Sequence, residues 1–377
     1  MSDAIPPVEA EQPELEGTGE EASDDFKDYP LDSVFVRTEN RSVQSVIDRI
    51  HAGRYVLDPD FQRDFVWELE KQSKLIESCI IRIPLPVFYV AEAADGRIMV
   101  VDGLQRLTTF ERYLSDKFAL TGLGRVAGKV KQEFDGKRFS ELPIALQERI
   151  QDTQLVMYIL DAKAPEKAKL DIFERVNSGT MLTRQQMRNA IFNGAGTRWL
   201  RDTASSPLFI DATGHSLDPK TMRDREIINR FCAFRLIGRK SYTSGDMDTF
   251  LAEGLRLLTD LSDKQREDLR EGFDRALRLN RELFGAHAFR RSLAQNDPHA
   301  RRTPLNVSLF ETCTVTMSGL PTDISDHVRH RLKVELPRLL EDEEFFRSIT
   351  YSTNSSIPVQ KRFAAMEDLV SKVVESK

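Results

Sequence analysis

The chain has 377 residues, enough to bury a large core, and its length predicts one large domain or two. It contains no run of about 18 uninterrupted apolar residues and no basic-then-apolar leader pattern, so neither a transmembrane helix nor a secretory signal is expected. We therefore expect a cytoplasmic protein. Its three cysteines, Cys79, Cys232 and Cys313, lie far apart in apolar helical patterns and are expected to be reduced core residues.

The net charge of −6 is unevenly distributed along the chain. Residues 1–30 contain ten acids and one lysine, so the remainder carries +3. Residues 1–29 are also poor in large apolar side chains, which predicts a disordered acidic tail. The favoured interpretation is a solubilising tail; the alternative is a nucleic-acid mimic that covers a basic face.

The pattern from 30 to 162 predicts a mixed α/β domain. Helical periodicity and strand-type runs alternate there, and an Asp95-Gly96 pair predicts a hairpin turn. The predicted helices are 42–50, 68–81 and 105–114. The predicted strands are 54–57, 87–91, 97–101, 118–120 and 154–160.

From 163 to 377 the periodicity is helical, so the predicted fold class is α+β, with an α/β domain followed by a helical domain. Thr183 and Gln186 form a capping box at the start of one of these helices. The other helices are predicted at 166–176, 223–237, 249–258, 263–284, 305–318 and 324–340.

The most informative segment is 100–110, where an apolar strand ends in Asp102-Gly103 and a helix begins with Gln105 and Arg106. Glycine allows a sharp turn, and the N–H groups at a helix start favour anions such as phosphate. Asp102 can hold Mg²⁺ or a water, and Arg106 can clamp a phosphoryl group. The plain alternative is a strand–turn–helix corner with an aspartate cap and a surface arginine.

Three further groups of polar residues can belong to the same site. Arg63 precedes apolar anchors and is either a ligand clamp or a structural ion-pair partner. Arg175 and Asn177 lie at a predicted helix end, where they can reach a nucleotide or remain solvated. Gln186, Arg188 and Asn189 lie on the first turns of the next helix and either line the same cleft or face water.

Two basic runs are candidates for DNA contact. Residues 220–240 contain seven Lys or Arg against two acids, including Arg223 and Arg225, and a second run includes Arg290 and Arg291. Phosphate contacts need such clusters. Ordinary solvated helix faces are the alternative interpretation.

Known nuclease and nucleotide-binding signatures do not match. The spacing of His287, Asn296 and His299 resembles an HNH arrangement only superficially, because the strand–helix context for a metal is missing. The sequence has neither a Walker-A loop nor a G-x-S-x-G elbow. Nuclease activity in this chain is therefore not expected.

Four motifs in order resemble the N-terminal domain of the GmrSD type IV restriction endonucleases, a family with a DGQQR signature. The resemblance covers about 55–195 and extends to 223–234. Its motifs are Phe61-Gln62-Arg63-Asp64-Phe65-Val66-Trp67, 71–78 with Ile83-Pro84-Leu85-Pro86, Asp102 to Thr109, and Phe173 to Gly179 with 182–183 and 186–190.

This resemblance implies a ParB/sulfiredoxin-like fold for 30–162, and nucleotide binding with NTP hydrolysis, an NTP and Mg²⁺ being the cofactors. Carried over by position, Asp102, Gln105 and Arg106 would be catalytic, with Asp102 also on Mg²⁺. The same comparison assigns nucleotide binding to Arg63, Gly103, Thr108, Arg175, Asn177, Gln186 and Arg188.

The sequence departs from the family in two ways. Leu104 stands where the signature has its first glutamine, so turnover would be weak if that glutamine positions a water and unchanged if it faces the core. Restriction members usually carry an HNH nuclease domain that is not recognised here, which implies a partner nuclease.

Three functional hypotheses follow. The leading one is a nucleotide-binding, NTP-hydrolysing component of a DNA restriction or anti-phage system that acts with a separate nuclease. The second is a non-enzymatic ParB-like DNA-binding or sensor module that uses Arg223, Arg225, Arg290 and Arg291. The third is a stand-alone DNA endonuclease. Fold analogy by itself does not decide among them.

Overall fold

A computed structural model of the chain divides into two compact units, residues 25–193 and residues 1–24 with 194–377. We name them the α/β unit and the helical unit. The predicted domain boundaries, at 29/30 and 162/163, stay predictions. The structure describes residues 15–17, 36–57, 67–93, 96–123, 134–164, 172, 184–192, 194–297 and 299–375.

In the described residues of the α/β unit, five strands form one sheet in the order β2-β6-β4-β5-β3. β6 runs antiparallel to β2 and parallel to β4, and β5 runs antiparallel to β4 and parallel to β3. The predicted hairpin is confirmed by β4 and β5, although Asp95 of its turn lies outside the described residues. The strands are β2 Val36–Ser42, β3 Tyr55–Val56, β4 Phe88–Glu92, β5 Ile98–Asp102 and β6 Gln154–Leu160.

Helices cover one face of this sheet, because each presents an apolar stripe to it. The shared core contains Ile76 from α2, Phe110 from α3, and Val100 and Met157 from the strands. Burial of such side chains is the main favourable contribution to folding. The helices are α1 Val43–His51, α2 Leu69–Ile80, α3 Leu104–Leu114 and α4 Ile144–Gln151.

The predicted strand at 118–120 is wrong. Phe118 and Leu120 are buried in the core, which explains their apolar character. The Leu120 N–H donates to the Lys137 carbonyl at 3.0 Å and its carbonyl accepts from the Gly136 N–H at 2.7 Å, but the segment joins no ladder of the described sheet. Its irregular backbone therefore satisfies its hydrogen bonds locally.

The opposite face of the sheet carries a smaller cluster of Ala91, Val101 and Leu160, against which Ile172 packs. Helix α5, Arg184–Ile191, packs against β5 of this unit. The strand that ends in Asp102 is thus covered from both sides.

The helical unit confirms the predicted helical character of the second half. Four of its helices lie where the periodicity predicts them: Arg223–Leu236, Met247–Asp260, Asp263–Phe284 and Asp326–Glu341. The third of these has the predicted bounds. The segment predicted as a helix at 305–318 begins with a short strand, β7 Leu305–Asn306, followed by α11. The described helices are α6 Ala195–Ala204, α7 Pro207–Ala212, α8 Arg223–Leu236, α9 Met247–Asp260, α10 Asp263–Phe284, α11 Val307–Ser318, α12 Asp326–Glu341, α13 Glu343–Ser348 and α14 Ser356–Glu375.

The core of this unit encloses a charged triad. Glu311 of α11 accepts hydrogen bonds from Arg230 of α8 at 3.3 Å and from Arg362 of α14 at 3.0 Å. Glu311 and Arg362 are 0% exposed and Arg230 is 1% exposed. Arg362 also donates to the Ser348 and Thr353 carbonyls, at 3.3 and 2.7 Å. The triad therefore ties three helices to the loop that follows α13.

Residues 15–17 fall inside the segment for which the sequence predicts disorder. Leu15–Glu16 forms a short strand, β1, that pairs in parallel with β7. The three cysteines are free and buried, as predicted. None of the helices in the described part of the chain combines the length and the apolar character that a membrane crossing requires.

Candidate functional site

The Asp102–Arg106 segment forms the predicted strand–turn–helix corner. β5 ends at Asp102, Gly103 turns the chain with φ 102°, and α3 begins at Leu104. A Cβ atom at Gly103 would lie 2.3 Å from Cδ1 of Phe88, far inside van der Waals contact. The corner therefore requires glycine both for its left-handed backbone and for its packing against β4.

Asp102 and Arg106 form an ion pair across one turn, with Arg106 Nη2 3.0 Å from Asp102 Oδ2. The Asp102 side chain is 39% exposed and the Arg106 side chain 10% exposed. Burial lowers the pKa of the Arg106 guanidinium, while the nearby Asp102 carboxylate acts in the opposite direction. The corner thus presents one half-exposed carboxylate whose orientation a buried cation fixes.

Arg106 points into the protein rather than outward, which differs from the surface arginine of the plain alternative. Its guanidinium donates to the carbonyls of Pro86 and Val87, the latter at 3.2 Å. Its Cζ atom also stacks 4.2 Å from the centre of the Phe88 ring. Arg106 therefore holds the segment before β4 against the start of α3.

The neighbouring side chains of α3 have different roles. The Gln105 Oε1 atom accepts a hydrogen bond from the Trp67 N–H at 3.4 Å and so contacts the segment that precedes α2. Leu104, at the position of the family's first glutamine, is half-buried and packs against the hydrophobic core. Thr108 is half-buried.

Gln186 and Arg188 lie on α5, which packs against β5. They are 3% and 2% exposed, so neither faces water. The Arg188 Nη1 atom donates to Gln185 Oε1 at 2.9 Å, and Gln185 Nε2 donates to Asn189 Oδ1 at 2.9 Å. These side chains form a buried polar network beside the strand that carries Asp102.

Arg63, Arg175 and Asn177 lie outside the described residues. Their placement in the site stays a prediction.

The four arginines predicted to contact DNA lie in the helical unit. Arg223 and Arg225 begin α8 and are half-buried. Arg290 is 4% exposed and donates to the carbonyls of Thr303 and Thr213, at 2.6 and 3.0 Å. Burial lowers its pKa to about 10.

Arg291 is occupied by an acidic partner. Its guanidinium donates to Glu16, with Nη2 2.7 Å from Oε1. DNA contact by these arginines stays a prediction.

Three of the contacts that orient Arg106 come from groups that the sequence did not single out for the site. They are the carbonyls of Pro86 and Val87 and the ring of Phe88. The only local signal is the glycine after an apolar strand, which indicates a close backbone approach without identifying the partner.

Among the described residues, no group of three or more histidines, cysteines and acids is arranged to hold a metal ion. A cavity of about 500 Å³ opens beside α2 and α4, between Arg82, Phe134 and Arg149. It contains none of the predicted site residues, so it is separate from the Asp102 corner.

Residues 43–193 match the sequence model of the N-terminal domain of GmrSD restriction endonucleases. This part of the chain belongs to that family. No curated protein matches the chain. The GmrSD match confirms the resemblance carried by the four motifs, and it indicates a role in a restriction or phage-defence system.

Proposed function

We propose that the GmrSD-type domain binds a nucleoside triphosphate with Mg²⁺ and hydrolyses it as part of a DNA restriction or anti-phage system. The observation that carries this proposal is the half-exposed Asp102 carboxylate, held by Arg106 at the start of α3. We further propose the ParB/sulfiredoxin-like fold for this domain, with DNA as a partner and a nuclease supplied from outside these 377 residues.

The charges and donors of the corner suit a nucleotide. The first turn of α3 presents backbone N–H groups, which favour an anion. Mg²⁺ is commonly held by one or two carboxylates together with substrate phosphates and water, and a single half-exposed aspartate fits that donor set. When bound, Mg²⁺ would neutralise charge on the phosphates.

The side chains then divide between contact and positioning. Asp102 presents its carboxylate toward the nucleotide, and Gln105, one residue into α3, orients a water for attack on the terminal phosphate. Arg106 is a positioning residue, because its donors already hold Asp102, Pro86 and Val87. Arg188 supports β5 from the buried network of α5, and Gln186 is buried on the same helix. By family position, Arg63, Arg175 and Asn177 complete the nucleotide site.

NTP hydrolysis by the purified full chain, with Mg²⁺ and with or without DNA, tests the proposal. Asp102→Ala should lower turnover by about 100-fold or more, and Gln105→Ala by about tenfold or more. Asp152→Asn is the matched control, because Asp152 is an exposed acid of the same unit that caps α4 through its backbone. It should leave turnover unchanged.

Binding is measured separately by calorimetry with a non-hydrolysable NTP analogue. A chain that binds no nucleotide, or whose turnover survives Asp102→Ala, would contradict the proposed site. Thermal unfolding of each variant excludes a general loss of folding as the cause.

A further inference from the structure

We propose that the helical unit contains a docking groove for an extended peptide segment in which an apolar residue, a glutamate and a glycine follow one another. The chain's own Leu15–Glu16–Gly17 fills this groove and can be exchanged for the same sequence on a separate segment. This proposal does not depend on nucleotide binding. We call the site the tail groove; it is lined by Arg291, Leu305, Asn306, Ile349 and Thr353.

The floor of the tail groove is the edge of β7 with which residues 15 and 16 pair. The opposite side of β7 is already engaged, since the Asn306 N–H donates to the Phe289 carbonyl at 2.9 Å. Leu15 and Glu16 pair with Leu305 and Asn306 in parallel register. Adding a strand to an exposed edge is a recurrent mode of peptide recognition, in which the main chain supplies affinity and the side chains supply specificity.

Each of the three docked residues meets a different feature of the groove. Leu15 is 9% exposed, so its apolar side chain is buried. Glu16 accepts two hydrogen bonds from Arg291, whose guanidinium also lies 5.6 Å from the centre of the Phe346 ring. A bidentate arginine–carboxylate pair selects for an acid at this position.

Gly17 is selected by space and by backbone conformation. Its φ is +71°, and a Cβ atom there would lie 3.0 Å from the Ile349 carbonyl oxygen and 3.2 Å from the Asn306 amide. Its own carbonyl accepts hydrogen bonds from Ser308 Oγ at 3.2 Å and Thr353 Oγ1 at 2.9 Å. A larger residue is disfavoured here, because it would strain the left-handed backbone and crowd the Ile349 carbonyl and the Asn306 amide.

The wall opposite β7 is held by groups that do not belong to the tail. Asn306 Nδ2 donates to the Ile349 carbonyl at 2.9 Å, and Asn306 Oδ1 accepts from the Leu309 N–H at 2.8 Å. Arg362 of the buried triad donates to the Thr353 carbonyl at 2.7 Å. Because none of these contacts involves residues 15–17, we expect the groove to be preorganised, which lowers the entropy lost on binding.

The test uses the full chain and a fluorescent peptide covering residues 12–20, Gln-Pro-Glu-Leu-Glu-Gly-Thr-Gly-Glu. Gly17→Val in the chain should displace the tail, and Glu16→Arg provides a second displacing variant that adds no Cβ atom at the tight position. Fluorescence anisotropy should then show the peptide binding to either variant at least about tenfold more tightly than to the unaltered chain, whose groove is filled.

Specificity is read from a charge swap. Adding Arg291→Glu to the Gly17→Val chain should weaken binding of the original peptide by about tenfold or more, and a peptide with Glu16→Arg should restore it. Arg256→Glu is the matched control, because Arg256 also pairs with acids, on the exposed face of α9.

The proposal is overturned if neither displacing variant binds the peptide better than the unaltered chain does. It is equally overturned if peptides with Gly17→Val or Glu16→Ala bind as well as the original. Circular dichroism of each variant establishes that the groove is tested in a folded chain.

Discussion

Gly103 joins the conformational and the chemical requirements of the candidate site in one residue. Its left-handed backbone aims Asp102 and the start of α3 at the same point, and its missing Cβ allows Phe88 to pack beneath them. Phe88 in turn stacks on Arg106, which holds Asp102. The position of the Asp102 carboxylate therefore depends on the lack of a Cβ atom at residue 103.

Gly103→Ala should destabilise the α/β unit by about 2–3 kcal/mol, because a Cβ 2.3 Å from Phe88 adds steric overlap to backbone strain. Gly53→Ala is a matched control with φ +67° and no heavy atom within 4 Å of the added Cβ, and it should cost only about 1 kcal/mol. Urea unfolding in a Trp199→Phe background, where Trp67 is the sole tryptophan, measures both free-energy costs. Equal costs would show that Phe88 yields freely.

Leu104 tests whether the family's first glutamine is needed for chemistry. Its side chain packs against the core, so Leu104→Gln should lower the stability of the α/β unit by about 1–2 kcal/mol and leave NTP turnover within about twofold. Chemical unfolding and steady-state hydrolysis are measured on the same preparation. A gain in turnover of tenfold or more, which corresponds to lowering the activation free energy by about 1.4 kcal/mol, would assign the glutamine a direct role.

Asp224 should make the helical unit less stable as the pH rises. Burial raises its pKa from 3.8 to about 6. Between those values the folded state keeps a proton that the unfolded state has lost, so stability falls as the pH rises from about 4 to about 6 and then levels off. Asp224→Asn should therefore stabilise the chain by about 1–3 kcal/mol at pH 7 and have little effect near pH 3.5.

The amide can preserve the hydrogen bond that Asp224 Oδ1 accepts from the Arg225 N–H at 2.8 Å. Asp263→Asn is the control, since Asp263 lies in the first turn of α10 and is fully exposed. Thermal unfolding between pH 3.5 and 7 compares the two variants. A pH profile that is the same in Asp224→Asn as in the unaltered chain would rule out titration of this carboxyl.

At the scale of whole elements, regular apolar periodicity was sufficient to predict a helix. A helix whose buried face carries a charged side chain was missed. Helix α10 has the bounds that its periodicity predicts. Helix α14 was not predicted, because its buried face includes Arg362, whose partner Glu311 lies on α11. Strand β2 was missed because it is polar after Val36 and lies at the sheet edge, paired only with β6 among the described strands.

The same distinction applies to the candidate site. Asp102 and Arg106 are four residues apart at the start of a helix, so their pairing follows from local geometry. The inward orientation of Arg106 depends on carbonyls 19 and 20 residues upstream, which the helical period cannot reveal. The burial of Arg290 likewise depends on Thr213 and Thr303.

Glu311 should be essential to the packing of α8, α11 and α14. Glu311→Gln would leave the guanidinium groups of Arg230 and Arg362 buried beside a neutral amide, at a cost of about 3–5 kcal/mol. Glu335→Gln removes an exposed pair with Arg338 and should cost less than about 1 kcal/mol. Thermal unfolding compares the two variants. A loss of stability from Glu311→Gln no larger than that of the control would mean that the triad is not essential to the packing of these helices.

At the scale of the whole molecule, charge is the property that separates the N-terminal segment from the rest. Residues 1–30 carry −9 and residues 31–377 carry +3. Within the segment, Glu16 lies on Arg291, one of the four arginines predicted to contact DNA. A polyanion approaching the helical unit therefore meets a negative charge already paired with that arginine, which favours the covering role over a purely solubilising one.

Neutralising the segment while keeping Glu16 should increase DNA affinity. The variant changes five glutamates to glutamine, at Glu9, Glu11, Glu14, Glu20 and Glu21, and raises the net charge from −6 to −1. Its control reaches the same net charge through amides at five exposed acids of the helical unit, Asp202, Asp260, Asp263, Glu343 and Asp368.

If the segment covers the basic face, the tail variant should bind duplex DNA several-fold more tightly than the control at about 50 mM salt, and the two should converge at about 500 mM, where charges are screened. Equal gains in both variants would attribute the effect to net charge alone. If the tail variant shows no gain in DNA affinity, the result would support a purely solubilising role for the segment. Both variants keep Glu16, so we expect the tail groove to stay filled in each. The comparison therefore does not depend on the tail-groove proposal.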